Sequence, residues 1–567
     1  MRYSQLFVRT SRLAPREADS PGSQFLLRGG FAARSGQSGN VLLPMGMRVR
    51  QRLSRLVEYR LQSLAGQPLQ LGHSRGSAER HDKQHVLTTA PLCHPVWFWC
   101  RRFGAAASQV IQSYRQLPVC LYAADIEENN SGVSPATWID TLPAEKLVGC
   151  YLAASRDSIS DGLAAVSEVL GEVCELSGVD ATWVAAGRDA SGDVDLHRLV
   201  VVGLGGDRPL LRCTGCGAIE AAASAGIRTR LGPTETRRPM REIATPGCKT
   251  ILDLCQYLEL EPFQTAKAIF LMAQSAEGQQ EFIIAVVRGD TDFNPDKLAR
   301  RVGAEYLRPA TEADIRRAGA EPGYGSPVGL RGVTVVADEL IAQSTNLVAG
   351  ANREGFHLLD VNCGRDFEAG IVADIVLARP GDACAACGQP LEKIASVELG
   401  WVGGPQTAPG MEADVWYSDA DSQSQRVLAG AFGFYVHRLL GAAAEKNVDE
   451  RGFTWPAVVA PFDIYLMTIG QPESRAAAEA DRLYTQLMDG GLSVLYDDRD
   501  ERAGVKFNDA DLFGIPIRVV VGERGLRDNA VEIKGRLETE AQKVPLDRVL
   551  LHLGAAASGE AGTSLVE

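Results

Sequence analysis

After Ala460-Pro461-Phe462 the apolar residues fall into a regular alternation that few folds can accommodate. Ile464 to Met467 and Leu492 to Tyr496 read as buried strands, Ala476 to Met488 between them has a helical period, and Ile517 to Val521 is a further strand run. Strand, helix, strand, helix, strand at this spacing specifies a parallel-sheet α/β domain. We place it at 461–555, followed by a Gly-, Ala- and Ser-rich tail over 556–567 that is expected to fray. A chain of 567 residues is too long for one core, so about three or four domains are expected.

A second self-contained stretch lies upstream. Ile251, Leu254, Cys255 and Leu258 mark a helical face, and Ala268 to Met272, Phe282 to Val287 and Val333 to Val336 are short strand-like runs. This reads as a compact α/β module that closes before Arg379-Pro380-Gly381. Arg228 to Gly247 precedes it without periodicity and reads as a connector. From Met1 to about Cys213 helical and strand-like runs are mixed, with a polar loop at Glu127 to Pro135.

Charge excludes some classes. Lys plus Arg number 58 against 71 Asp plus Glu, a formal net charge of −13, so bulk attraction to nucleic acid is excluded and any RNA contact must be local. The first sixty residues hold eleven Arg against Glu17, Asp19 and Glu58. Val49, Leu53, Leu56, Leu61 and Leu64 recur there at helical spacing, which predicts a folded amphipathic helix over Met47 to Leu64 rather than a targeting segment. No run of about 18 apolar residues exists, so no membrane span is expected. Eight of the twelve Cys are scattered singly, as buried thiols of a reducing cytosol would be. The other four form two C-x-x-C pairs, Cys213 with Cys216 and Cys384 with Cys387.

Longer motifs carry a family resemblance. Asp497-Asp498-Arg499-Asp500-Glu501-Arg502-Ala503-Gly504-Val505-Lys506-Phe507 with Gly514-Ile515-Pro516, led in by Asp449 to Pro456 and Ala460 to Phe462, resembles the anticodon-binding domain of class II tRNA synthetases of the prolyl type. The resemblance implies tRNA binding by Asp497, Arg499, Arg502, Lys506 and Phe507. Arg499, Arg502 and Lys506 suit RNA phosphates or unstacked anticodon bases.

The module before it resembles the editing insertion of bacterial prolyl-tRNA synthetases, which hydrolyses alanine mistakenly attached to the proline tRNA. The matching residues are Lys267 in TAKAIFL, Arg288-Gly289-Asp290, the G-x-x-x-P loop Gly323 to Pro327, Asp338 in VVADELI, Ala349 to Asn352, and His357 in GFHLLDVN. Editing is needed because a pocket that admits proline admits the smaller alanine, at a penalty of only about 1–3 kcal/mol per methylene. In the family's pattern Lys267 neutralises phosphate or ribose, the Gly323–Pro327 loop aims N–H groups at an oxyanion, and Asp338 and His357 hold the ester and water.

The ligase motifs depart from the family. Of the third motif, Gly430 to Arg438 keeps Arg438, the residual ATP-binding cation, but Tyr435 replaces a Gly. After Leu117 to Tyr122, the second motif's Phe-Arg-Asp-Glu has become Glu128-Asn129-Asn130-Ser131. The Thr-x-Glu loop reads Thr88 to Pro95 without an acid, Gly-His-Ile-Phe appears as Gly400-Trp401-Val402-Gly403, and the first motif's Pro is replaced near Gly72.

The fold expected from the resemblance is α/β and multidomain. A class II synthetase-like core with an antiparallel sheet spans 1–227 and 379–460, interrupted by an inserted α/β editing domain (YbaK-like) at 236–378, and the anticodon-binding domain follows at 461–555. Because the insertion interrupts the core, the two Cys pairs flank its ends, and Cys213, Cys216, Cys384 and Cys387 suit a structural zinc, with reduced thiols as the alternative. The expected function is that of a tRNA-binding editing hydrolase for mischarged alanyl-tRNA of the proline type, with ligase chemistry lost. The alternatives are a proline–tRNA ligase with diverged motifs, or a non-catalytic tRNA-binding or regulatory protein. Editing needs no cofactor, and ATP with magnesium enters only if ligation survives. The expected partners are the tRNA for proline and a second copy of the chain through the core, without DNA or membrane, and the expected location is the cytoplasm.

Overall fold

The computed structural model describes residues 1–567 apart from 16–17, 19, 36–39, 72–87, 90–93, 127–137, 189–193, 207–209, 223, 229–234, 276–278, 305, 405–411 and 561–567. Glu128 to Ser131, Gly72 and much of Thr88 to Pro95 therefore lie outside the described residues.

The Arg-rich start folds as expected into the helix Pro44–Gln62, opened by a Pro whose missing N–H would have no helical acceptor anyway. Met45, Val49, Leu53, Leu56, Val57 and Leu61 are buried along one face. Two of the arginines on its other faces are docking groups. Arg48 Nε donates to the Pro461 carbonyl at 2.7 Å, and Arg52 pairs with Asp463 at 2.6 Å, so this helix seats the start of the C-terminal domain.

The core is an eleven-stranded sheet. Its centre pairs Val194–Val202 with Ser396–Gly403, then Ser424–Tyr435, Glu145–Ala153 and Val119–Ile126, all antiparallel. Period-two alternation gives this sheet two apolar faces. Tyr122, Leu199, Leu399, Phe432 and Phe434 pack with the helices Pro44–Gln62, Arg156–Leu176 and Val436–Lys446. Leu121, Val148, Leu152, Trp401 and Ala431 pack with Val96, Trp99 and Phe103 of the helix His94–Ala107.

The editing-like module is inserted into this core. The chain leaves through Ile227–Arg228 and returns through Ala383–Cys384, and these two short strands pair antiparallel with each other. Leu391–Ile394 then rejoins the core sheet beside Leu210–Cys213. Inside the module a six-stranded sheet centres on Ala266–Gln274 and Gln280–Arg288, with Thr334–Asp338 parallel to the latter. Thr88–Thr89 supplies its edge strand. A three-stranded sheet of Arg241–Ala244, Phe356–Val361 and Leu347–Gly350 packs beside it. Arg241–Ala244 corrects the reading of Arg228 to Gly247 as an aperiodic connector. Four residues of which only Ile243 and Ala244 are apolar carry no period of their own, and they are a strand because Phe356–Val361 offers its edge.

The C-terminal domain matches its alternation. Val494–Asp497, Ile464–Ile469 and Ile517–Gly522 are parallel neighbours, with Arg475–Asp489 and Ala503–Phe513 as the connecting helices. An antiparallel hairpin of Ala530–Gly535 and Gln542–Pro545 extends the sheet. The last helix runs Val549–Glu560, so the chain stays helical past the point where fraying was expected.

Candidate functional site

The inserted module builds a cluster around His357. This residue sits in the middle strand of the three-stranded sheet, opposite Ile243 on one side and Gly350 on the other. Its Nδ1 lies 2.6 Å from Thr245 Oγ1, and the Tyr324 ring meets its imidazole edge-on, with centroids 5.6 Å apart. His357 and Tyr324 are both buried, and burial lowers the imidazole pKa below its ordinary value. The ring is therefore neutral at pH 7, and one of its nitrogens is already engaged.

The Gly323–Pro327 loop is held against this histidine by backbone contacts. Gly350 passes so close that a methyl added there would sit 2.1 Å from the Tyr324 carbonyl oxygen. Asn352, in the left-handed region at φ 54°, donates its own N–H to the same carbonyl. Its side chain accepts from Ser326 N–H at 2.8 Å and donates to the Val328 carbonyl at 2.8 Å. The Gly325 N–H has no acceptor among the described residues, while Tyr324 and Ser326 have theirs. A donor of that kind is what an oxyanion requires.

Lys267 and Asp338 share no hydrogen bond with this cluster among the described residues. Strand alternation puts Lys267 on the face of Ile269 and Leu271, whereas Ala266, Ala268 and Phe270 face the side of Ala349 and Leu358. Lys267 is exposed and makes no hydrogen bond or ion pair among the described residues. Asp338 is 2% exposed. One carboxylate oxygen caps the helix Glu339–Gln343 by accepting from Leu340 N–H at 2.9 Å, and the other accepts from Ile375 N–H at 3.0 Å. The carboxylate expected to hold ester and water is thus engaged with the backbone in this structure. Both oxygens tie the end of a strand to two backbone segments, and burial raises its pKa.

The C-terminal loop divides its charged residues in the same way. Asp497 is fully buried, accepts from Tyr465 Oη at 2.6 Å, and forms a two-point contact with Arg499 at 2.7 and 2.8 Å. Arg499 also reaches Asp509 at 2.8 Å and stacks over the Tyr3 ring. Burial works against the Asp497 carboxylate, yet Arg499 and Tyr465 hold it below its ordinary pKa. Lys506 is 2% exposed and donates to the backbone carbonyls of Thr468 and Asp497. Asp497, Arg499 and Lys506 thus close the strand-to-helix loop from inside, with the hydrogen-bonding groups expected to meet RNA engaged within the domain. Arg502 is exposed at the start of the next helix, and Phe507 is half-buried beneath Arg518. Beyond it Arg518, Lys534 and Arg536 line a small pocket with Asp511 and Tyr465, a cationic group that sequence reading missed because strand pairing brings Arg518 beside Lys534.

In the core, Arg438 is engaged internally. It pairs with Asp140 at 3.1 Å, donates to the Glu398 carbonyl at 3.2 Å, and lies over the Tyr435 ring. Trp401 is buried against Gly433. At the base of the insertion the sulfurs of Cys213, Cys216, Cys384 and Cys387 lie within 4.8 Å of one another.

A family model described as an aminoacyl-tRNA editing domain matches residues 245–367, and one described as an anticodon binding domain matches residues 463–553. A protein of Dehalococcoides mccartyi named proline–tRNA ligase is 33% identical over 99% of this chain and 100% of its own length. One of the same name from Salinispora tropica is 35% identical over 98% of this chain and 96% of its own. The solved structure of prolyl-tRNA synthetase from Cryptosporidium parvum with L-proline and AMP shares the fold at a TM-score of 0.50 and 10% identity, covering 95% of this chain and 77% of that one. With similarity running over nearly its whole length, and with editing and anticodon-binding domains in place, the chain belongs to the prolyl-tRNA synthetase family.

Proposed function

We propose that this chain is a tRNA-binding editing deacylase that clears alanine from mischarged proline tRNA and no longer makes prolyl-adenylate. The observation that carries the reading is the cluster of Thr245, His357 and Tyr324 against the Gly323–Pro327 loop, inside the region matched by the editing-domain model. Water attacks the ester carbonyl, the acyl–oxygen bond to ribose breaks, and the water proton passes to the ribose oxygen. The Gly325 N–H stabilises the oxyanion. Neutral His357 holds the attacking water or relays its proton. Lys267, exposed and unpaired among the described residues, takes a phosphate of the tRNA end. Arg502 and Phe507 meet the anticodon stem or loop. No cofactor is required.

The loss of ligation rests on the motif departures. Phosphoryl chemistry needs cations fixed on ATP. Glu128 to Ser131 offers none in place of the second motif's Arg, and Arg438 is held by Asp140. A second reading, a ligase with diverged motifs that uses ATP and magnesium, is favoured by one observation: relatives named proline–tRNA ligase match over their full length. A homodimer through the core and a cytoplasmic location fit both readings. No helix among the described residues is long and apolar enough to cross a membrane.

Two assays on purified protein decide the matter. Release of alanine from mischarged proline tRNA, slowed by ~10²-fold or more in His357→Ala, is the expected result, and equal rates for both proteins would refute editing. Proline-dependent ATP–pyrophosphate exchange above background would establish the second reading.

A further inference from the structure

The two C-x-x-C segments fold as copies of one turn. In the first, the Cys213 N–H donates to the Ala218 carbonyl at 2.9 Å and the Gly217 N–H to the Cys213 carbonyl at 3.0 Å. In the second, the Cys384 N–H donates to the Gln389 carbonyl at 2.8 Å and the Gly388 N–H to the Cys384 carbonyl at 2.8 Å. Gly217 and Gly388 take φ of 74° and 76°, a conformation that a side chain would disfavour. The N–H groups of Gly215 and Cys216 also point at Cys213 Sγ, at 3.4 and 3.5 Å, an arrangement that favours a thiolate.

The sulfurs interleave between the two turns. Cys213 Sγ lies 3.3 Å from Cys387 Sγ, and Cys216 Sγ lies 3.9 Å from Cys384 Sγ. Disulfides need about 2.05 Å, so these pairs are not bonded. Four thiolates at the zinc–sulfur distance of about 2.3 Å from one tetrahedral ion stand roughly 3.8 Å apart, close to what is seen. The apolar cluster beneath is small, built from Leu211, Cys213, Ala225, Ala378, Cys384 and Leu391. A metal staple adds to what so small a core and two short strand pairings supply.

We propose that Cys213, Cys216, Cys384 and Cys387 bind a single zinc ion in an all-thiolate tetrahedral site that clamps the outgoing and returning strands of the editing module to the core. One turn precedes the outgoing strand Ile227–Arg228, and the other begins within the returning strand Ala383–Cys384, so one ion crosslinks both crossings. The clamp rests on this topology alone and holds whether or not the module edits.

Full-length protein purified with reductant and without chelator tests it. The expected result is stoichiometric zinc by mass spectrometry, a cobalt-substituted form with the visible spectrum of a tetrahedral tetrathiolate, loss of both in Cys213→Ser/Cys216→Ser, and retention in Cys363→Ser. If the double variant does not fold, the wild-type metal content and cobalt spectrum decide. Absence of bound zinc after reconstitution, iron as the resident metal, or an octahedral cobalt spectrum would overturn the site. Hydrogen exchange of zinc-stripped protein is expected to rise over residues 211–228 and 381–394 and to stay unchanged over 464–522. Unchanged protection at the junction would overturn the clamp.

Discussion

His357 Nδ1 and Thr245 Oγ1 lie 2.6 Å apart, so the imidazole of the editing cluster is oriented by a hydroxyl just beyond the strand Arg241–Ala244. Removing the ring in His357→Ala is expected to slow deacylation by ~10²-fold or more, as loss of a general acid–base group does. Thr245→Val leaves the ring but frees its orientation and is expected to cost about 1 kcal/mol, or roughly fivefold. Single-turnover release of alanine measures both.

The same histidine makes the module acid-sensitive. Its folded pKa is lowered from 6.5 by burial, so on acidification the unfolded chain takes the proton first. The stabilisation is present above pH 6.5 and is lost as pH falls toward the folded pKa. Melting temperatures between pH 7.5 and pH 5 are expected to drop more for wild type than for His357→Asn.

Asn352 holds the Gly323–Pro327 loop by both ends of its amide. Asn352→Ala breaks two hydrogen bonds and places an ordinary side chain at positive φ, an expected loss of about 2 kcal/mol in module stability. Asn352→Asp keeps the acceptor for Ser326 N–H and loses only the donor. Its deacylation rate is expected to lie between those of wild type and Asn352→Ala.

Asp338→Ala strips the partners from two backbone N–H groups, and about 2–4 kcal/mol of stability is expected to go with them. Asp338→Asn turns one acceptor into a donor facing an N–H and falls between. Chemical denaturation of the two variants checks this structural role, because a purely catalytic Asp338 would leave stability unchanged.

Arg499 and Arg502 are expected to part company. Arg499→Ala takes the guanidinium partner from the buried Asp497 and Asp509 and is expected to destabilise the C-terminal domain by about 3–5 kcal/mol. Exposed Arg502→Ala is expected to change stability by under about 0.5 kcal/mol, but to weaken tRNA binding and reduce its salt dependence. Calorimetry and filter binding at two salt concentrations separate the effects.

These contrasts show what the sequence could reveal. The C-terminal alternation was legible because buried parallel strands are continuous apolar runs, and Pro44–Gln62 because its apolar residues keep a helical period. The extra hairpin of Ala530–Gly535 and Gln542–Pro545 was not legible, being short and mixed with charge. Thr245 escaped notice inside a stretch without period, and its role exists only because Phe356–Val361 pairs across from it. The direction of Lys506 was illegible for another reason. In a run of alternating charges, an ammonium that satisfies buried carbonyls looks the same as one that meets solvent.

The order of strands in the core sheet also governs how the chain matures on the ribosome. Glu145–Ala153 lies against Ser424–Tyr435, and Val194–Val202 against Ser396–Gly403, so the early strands wait for partners synthesised only after the entire insertion. At roughly 5–20 residues per second that delay is on the order of ten seconds to a minute. The editing module closes on itself within the same interval and can fold while the core around it is still half made. Apart from the edge strand Thr88–Thr89, the sheets described within it draw on its own residues. The piece inserted into the middle of another can therefore be complete before its host is.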